Sequence, residues 1–227
     1  MSKVRAIVTD IEGTTSSIDF VHQTLFPYAK ARLRAFLREH AKEPAVAAAI
    51  DDTGRLEDRP LEVESAADVL ERWIEEDRKA TPLKTLQGMI WAQGFKAGEL
   101  TGHVYADTPE YLRRWHAQGL LLYVYSSGSV DAQKLIFGHT AEGDLTPLFS
   151  GYFDTRIGGK REPKSYAAIL QQLQLPGSQV LFLSDLAVEL DAARAAGMHT
   201  CQLVRDAKTT VAIMHPQAQT FAEVVGI

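Results

Sequence analysis

Three short apolar runs, each followed by a polar side chain, constrain the fold of this chain more than any other feature. Residues 4–9 lead into Asp10, residues 120–125 into Ser126, and residues 180–183 into Ser184 and Asp185. Runs of this length and composition are typical of buried strands in a parallel sheet. A weaker fourth run covers residues 198–204. Helical patterns separate the runs, so the sequence predicts an α/β fold with a parallel sheet and right-handed crossovers.

The stretch from about residue 17 to residue 103 breaks this alternation. Helical spacing of apolar residues covers 27–40, 66–74 and 81–95, whereas the polar residues 51–60 indicate a loop. We therefore predict a four-helix insert at residues 18–103, between the first and second strands. Residues 1–17 and 104–227 would form the sheet domain.

Composition excludes several classes of protein. The net charge is −5, and no cluster of Lys and Arg provides the basic surface that nucleic acid requires. No apolar run approaches the roughly 20 residues of a membrane span. The single cysteine, Cys201, excludes an internal disulfide framework, and the N-terminus does not have the pattern of a signal peptide. We expect a cytoplasmic monomer that binds a small molecule and neither nucleic acid nor membrane.

Asp10, Ser126 and Asp185 are the candidates for a functional site. Ligands of open α/β sheets bind at the carboxyl ends of the strands, which is where all three residues are predicted to lie. A lone Asp after a strand is often a turn former or a helix cap. Three polar residues after three separate strands are much less expected by chance, and they favour a site.

These residues match known motifs. The segment DIEGT at residues 10–14 resembles the first motif of the haloacid-dehalogenase superfamily. The resemblance implies that Asp10 is a nucleophile and Glu12 a general acid/base, although the superfamily usually has Asp at that second position. Ser126 fits the second motif, which holds phosphate. Ser127 would contribute its backbone N–H, its hydroxyl or neither; we favour a contact with the substrate.

The third and fourth motifs follow in the expected order. Lys160 fits the third motif by its spacing from Pro163, and Lys164 is the alternative. Asp185 matches the acidic fourth motif. Glu189, one helical turn further on, would hold a metal-bound water or orient a neighbour.

A narrower resemblance involves the insert as well. DIEGTT at residues 10–15, LQG at 86–88 with Trp91, and YSSGSV at 125–130 followed by AQKL at 132–135 are similar to the acireductone synthase, or enolase-phosphatase, family. The resemblance covers nearly the whole chain. It implies a haloacid-dehalogenase-like parallel sheet with helices on both faces and an inserted helical cap.

The family resemblance also implies the chemistry. Mg²⁺ would be held by the side chains of Asp10 and Asp185 and by the backbone carbonyl of Glu12, which suits an ion that prefers oxygen ligands and few carboxylates. The substrate would be 2,3-diketo-5-methylthiopentyl 1-phosphate, converted in methionine salvage to an acireductone and phosphate. The base for the enolisation stays open between Glu12 and a carboxylate of the cap.

An apolar lining of the cap is expected for this substrate. Phe20, Phe26, Trp91 and Phe95 are candidates, and filling the core of the cap is the simpler interpretation for each of them.

Three other functions compete with this interpretation. A phosphatase of the same superfamily that acts on another small phosphomonoester would keep every motif. A dehalogenase would not need the metal and acid/base residues. A catalytically silent scaffold would be expected to lack the nucleophile or a metal ligand, and this chain has both.

Overall fold

The computed structural model describes residues 3–76, 78–207 and 209–226. Its contacts divide the chain into two compact units. We call Met1–Ile18 with Thr101–Ile227 the sheet unit and Asp19–Leu100 the helical unit.

A six-stranded parallel sheet forms the centre of the sheet unit, with the strand order β3-β2-β1-β4-β5-β6. Its strands are β1 (Ala6–Thr9), β2 (Leu121–Tyr125), β3 (Gly151–Phe153), β4 (Val180–Ser184), β5 (His199–Leu203) and β6 (Gln217–Ala218). The four strands predicted from apolar runs are all present. β3 and β6 were not predicted, because three and two residues are too few to form a recognisable pattern.

The described residues contain eight α-helices of nine or more residues. They are α1 (Phe26–His40), α2 (Pro44–Leu56), α3 (Val63–Glu75), α4 (Thr81–Lys96), α5 (Thr108–Ala117), α6 (Val130–Gly138), α7 (Pro163–Leu173) and α8 (Ala187–Ala195). A short α-helical turn, Ile18–Phe20, and a π-helical turn, Val21–Leu25, precede α1. Among these residues, no helix is long and apolar enough to cross a membrane.

Helices cover both faces of the sheet, as predicted. Side chains alternate between the two faces along a strand, so Ile7 packs in one core while Ala6 and Val8 pack in the other. Helices α5 and α6 contribute to the first core, and α7 and α8 contribute to the second.

The predicted loop at residues 51–60 is wrong in its first half, because α2 continues to Leu56. Val46, Ala49, Ile50 and Thr53 recur at helical spacing and are buried against the other helices of this unit. Thr53 satisfies its hydroxyl by donating to the Ala49 carbonyl at 2.7 Å. Asp51, Asp52 and Arg55, which suggested a loop, lie on the outer face of an amphipathic helix.

The order of the strands changes direction at β1, which lies between β2 and β4. Thr9 is in register with Val124 on one side and with Leu183 on the other. The residues that follow these three strands therefore reach one edge of the sheet together. Such a switch point is where open α/β sheets bind their ligands.

Candidate active site

The loop after β1 places Asp10 at this edge. The Asp10 N–H donates to the Leu183 carbonyl of β4 at 2.9 Å, and the Ile11 N–H donates to Asp10 Oδ1 at 2.7 Å. The Ile11 carbonyl then accepts from the N–H groups of Thr14, Thr15 and Ser16 at 3.2, 3.0 and 2.9 Å. The chain therefore turns back tightly, and the Asp10 carboxylate is buried in a fixed orientation.

Gly13 lets this loop approach Asp185. Its φ of +71° lies in the left-handed region that favours glycine. A Cβ at this position would lie 2.5 Å from Asp185 Oδ2 and 2.6 Å from its carboxyl carbon. Only a residue without a side chain fits between the loop and this carboxylate.

Lys160 is the cation of the site. Its Nζ lies 2.6 Å from Asp10 Oδ1 and 2.7 Å from Glu189 Oε2, and its side chain is 9% exposed. The Tyr166 hydroxyl donates to the Lys160 carbonyl at 2.7 Å and holds the backbone in place. The alternative, Lys164, is 81% exposed and pairs with Glu162. The structure thus brings Lys160 to Asp10 and leaves Lys164 on the surface.

Ser126 is buried on the loop after β2. The Ser126 N–H donates to the Phe153 carbonyl at 3.2 Å, and its hydroxyl accepts from the Gly128 N–H at 3.1 Å. The same hydroxyl lies 3.3 Å from Glu12 Oε2, so the loops after β1 and β2 meet at this pair. Ser127 is exposed on the same loop.

The segment after β4 supplies two more carboxylates. Ser184 donates to Glu189 Oε2 at 3.0 Å and lies 3.4 Å from Asp10 Oδ2. The Asp185 backbone carbonyl accepts from Gln202 Nε2 at 2.8 Å. Asp185 Oδ1 is buried and has no hydrogen-bond partner among the described residues.

Negative charge is in excess in this group of residues. Burial, reinforced by the charge of Asp10, raises the pKa of Asp185 to about 7 and that of Glu189 to about 7. Burial and the same charge also raise the pKa of Glu12. Burial alone would lower the pKa of Lys160, but the charges of Asp10 and Glu189 outweigh it and raise that pKa.

A divalent cation fits this arrangement. The described residues contain no group of three His, Cys, Asp or Glu side chains placed to hold a metal ion. Mg²⁺ does not require such a group, because it is usually bound by one or two carboxylates together with waters and substrate phosphate. Such an ion would bind the unpartnered oxygen of Asp185 and would balance the negative charge around Asp10.

Sequence reasoning missed several residues that hold the site. Ser184 bridges two carboxylates, and Gln133 Nε2 donates to the carbonyls of Gly128 and Phe153 at 2.8 Å each. Arg205 donates from Nε to the Thr14 carbonyl at 2.9 Å. Ser184 and Gln133 belong to the motif segments, so they could have been found; Arg205 is in no motif.

The four aromatic candidates of the helical unit divide into two pairs. Phe20 and Phe95 are buried, which agrees with filling a core. Phe26 and Trp91 are half-buried, with ring centroids 6.3 Å apart in a stacked arrangement. Trp91 Nε1 donates to the Leu25 carbonyl at 2.8 Å, at the end of the π-helical turn.

Comparison with known proteins decides the family. The family model for haloacid dehalogenase-like hydrolases matches residues 4–197. "Enolase-phosphatase E1" of Methylococcus capsulatus is 56% identical over 219 residues, which are 96% of each chain. The chain belongs to the enolase-phosphatase family of haloacid dehalogenase-like hydrolases.

Other relatives agree with this membership. "Enolase-phosphatase E1" of Pseudomonas aeruginosa is 56% identical over 226 residues, 98% of each chain. The crystal structure of the UTR4 protein from Saccharomyces cerevisiae has a TM-score of 0.82 and 31% identity, covering 98% of this chain and 100% of that one. The predicted family, fold class and class of enzyme, a phosphatase with enolase activity, are confirmed.

Proposed function

We propose that this member of the enolase-phosphatase family is a Mg²⁺-dependent enzyme of methionine salvage. It converts 2,3-diketo-5-methylthiopentyl 1-phosphate to 1,2-dihydroxy-3-keto-5-methylthiopentene and phosphate. The names of its relatives support the two activities. The observation that carries the proposal is the buried Asp10 carboxylate, held by Lys160 and surrounded by acidic side chains at the switch point of the sheet.

Asp10 is the proposed nucleophile. One of its carboxylate oxygens forms a bond to phosphorus while the bond from phosphorus to the substrate oxygen breaks, which leaves an aspartyl-phosphate. Phosphoryl transfer depends mainly on position and on neutralised charge. The bonds of Oδ1 to the Ile11 N–H and to Lys160 supply both.

Glu12 is the proposed general acid/base. Its raised pKa favours the protonated form that gives a proton to the departing alkoxide. The resulting carboxylate then takes a proton from the water that attacks phosphorus, and phosphate and free Asp10 are released. Ser126, 3.3 Å from Glu12 Oε2, would donate to a phosphoryl oxygen, and the exposed Ser127 would contact the substrate from the same loop.

Mg²⁺ would be held by the side chains of Asp10 and Asp185 and by the Glu12 carbonyl, with Glu189 as an outer partner. When bound, it neutralises the charge of phosphate and carboxylate as they meet. Segment 18–103 would act as a cap, and its half-buried Phe26 and Trp91 are the candidates for contact with the thioether tail. The candidates for the base of the enolisation are Glu12 and a carboxylate of the cap.

The test is a Mg²⁺ titration of turnover on the diketo phosphate. Absorbance of the enol product and release of phosphate are followed in parallel, with Asp10→Asn as the control. The proposal requires both signals, requires that both depend on Mg²⁺, and requires that phosphate release is lost in the variant. Phosphate released from other esters but not from this one would assign the enzyme to a different phosphomonoester. Absence of turnover together with absence of Mg²⁺ binding in calorimetry would support the silent scaffold.

A further inference from the structure

We propose that Arg205 is a positioning residue, which sets the loop that carries Glu12 by holding the Thr14 carbonyl. The inference rests on the proposed phosphoryl transfer through Asp10 and Glu12. Arg205 follows β5 and lies 191 positions after Thr14 in the chain. The proposed nucleophile, acid/base, phosphate contacts and metal ligands are all other residues.

The loop after β1 is bonded to itself on its inner side. The Ile11 carbonyl accepts three N–H groups, and the Gly13 N–H donates to the Ser16 carbonyl at 2.8 Å. The carbonyls of Thr14 and Thr15 accept none of these bonds within the loop. They have to find donors elsewhere in the protein, because an unpaired buried carbonyl is costly.

Three donors from distant segments meet these two carbonyls. Arg205 Nε donates to the Thr14 carbonyl at 2.9 Å. The Tyr105 N–H and the Thr108 hydroxyl donate to the Thr15 carbonyl at 2.9 and 3.3 Å. Residues outside the loop therefore hold its backbone at Thr14 and Thr15, two and three residues after the proposed acid/base Glu12.

Arg205 itself is held rigidly. Its side chain is 4% exposed, and Nη1 lies 2.8 Å from Asp107 Oδ1 and 2.9 Å from Asp107 Oδ2. Its guanidinium carbon lies 4.6 Å from the centroid of the Tyr105 ring and 4.7 Å from that of Phe221. Asp107 Oδ2 also accepts from the Phe221 N–H at 2.7 Å.

Because its guanidinium group is buried and held by Asp107, Arg205 can fix the position of the loop, which a mobile surface charge could not do. A planar guanidinium that is paired and stacked loses little further freedom when it forms one more hydrogen bond. Lysine carries the same charge but cannot donate to Asp107 and the Thr14 carbonyl in the same fork geometry. Arg205→Lys should therefore keep the buried charge and release the loop.

The consequence should be specific to the protonation step. Glu12 protonates the leaving oxygen, so a displaced Glu12 harms esters whose leaving group is a strong base more than esters whose leaving group is stable as an anion. Phenyl phosphate and p-nitrophenyl phosphate form a matched pair, because their rings are similar and the nitro group stabilises the departing phenolate. The value of kcat/KM reports the steps up to the release of that phenolate.

The experiment measures kcat/KM of wild type and Arg205→Lys on both esters. We expect a fall of about tenfold or more on phenyl phosphate, a part of the roughly 10²–10⁴-fold contribution of a positioned acid, and a fall below about threefold on p-nitrophenyl phosphate. Thr200→Val is the control, because it removes the buried hydrogen bond of the Thr200 hydroxyl with His215 Nδ1 at 2.8 Å. It should lower the melting temperature and leave the ratio of the two kcat/KM values unchanged.

Each other outcome has a defined meaning. Equal losses on both esters, or a wild-type ratio in Arg205→Lys, would overturn the inference and make Arg205 a structural residue. If Arg205→Lys does not fold, Asp107→Asn weakens the same clamp from its other end and must show the same selective loss. If wild type hydrolyses neither these esters nor the diketo phosphate, the proposed phosphatase chemistry fails instead.

Discussion

Substitution of Gly13 by alanine tests the geometry of the site most directly. The added methyl carbon would lie 2.6 Å from the carboxyl carbon of Asp185, whereas carbon atoms in contact prefer separations of about 3.5–4.0 Å. The Asp185 carboxylate, the loop or both must therefore move by about 1 Å. A misplacement of that size costs about 10²-fold in turnover.

The backbone makes a second, separable contribution. Gly13 has a φ of +71°, and an alanine in the left-handed region costs about 1 kcal/mol. For a protein of this size, that energy lowers the melting temperature by about 2–4 °C. The loss of stability is too small to explain a loss of activity of about 10²-fold.

Gly98→Ala is the matched control for this strain. Gly98 has a φ of +73°, and a Cβ there would have no heavy atom within 4 Å among the described residues. We expect both variants to melt a few degrees below wild type. Only Gly13→Ala should lose activity.

The assay is phosphate release at a series of Mg²⁺ concentrations, combined with thermal melting of the same samples. If Gly13→Ala retains turnover within about threefold of wild type, or if Gly98→Ala loses as much as Gly13→Ala, the close approach of Gly13 to Asp185 does not matter for activity.

Three further predictions follow from the charges and contacts of the site. Lys160→Met should reduce turnover by about 10²–10³-fold, because Asp10 loses the donor that balances its charge. The control Lys164→Met changes a surface residue and should retain wild-type turnover; equal losses in the two variants would contradict the choice of Lys160 as the lysine of the site. Ser126→Ala should reduce kcat/KM for phosphate esters by about tenfold, since one donor to phosphate is lost, and unchanged steady-state kinetics would exclude that role. In the metal-free protein the pKa of Asp185, about 7, is above its unfolded value, so the stability from its bound proton is complete below about pH 4 and is lost as the pH rises through about 7. In EDTA, Asp185→Asn should therefore melt at a higher temperature than wild type, and this difference in melting temperature should grow between about pH 4 and pH 7. Mg²⁺ should stabilise wild type more at pH 8 than at pH 5. A difference in melting temperature that does not change with pH would refute the raised pKa of Asp185.

Much of the fold could be predicted from local patterns. The strands that become β1, β2, β4 and β5 are buried apolar runs, and a parallel sheet brings the residues that follow β1, β2 and β4 to one edge. The sequence therefore predicts that Asp10, Ser126 and Asp185 are neighbours. The short strands β3 and β6 could not, because a run of two or three residues contains no measurable period.

The helical unit shows a different limit. Polar residues at 51–60 predicted a loop, yet Asp51, Asp52 and Arg55 lie on the outer side of α2, whose inner face is buried. Composition over a few residues does not distinguish a loop from the solvent side of a helix. The helical spacing of the buried residues does distinguish them. That spacing is hidden in the sequence, because two of the buried positions are Thr53 and Gly54, which do not have large apolar side chains.

The proposed chemistry came from the sequence, because residue types and their order in four motifs predict a nucleophile, an acid/base, a cation and acidic metal ligands. The tertiary structure decided which lysine reaches Asp10, why residue 13 must lack a side chain, and how Arg205 clamps a loop 191 positions away. The physical reason is one of range. Secondary structure follows from neighbours along the chain, whereas hydrogen-bonding distances between segments far apart in sequence depend on how the whole core packs.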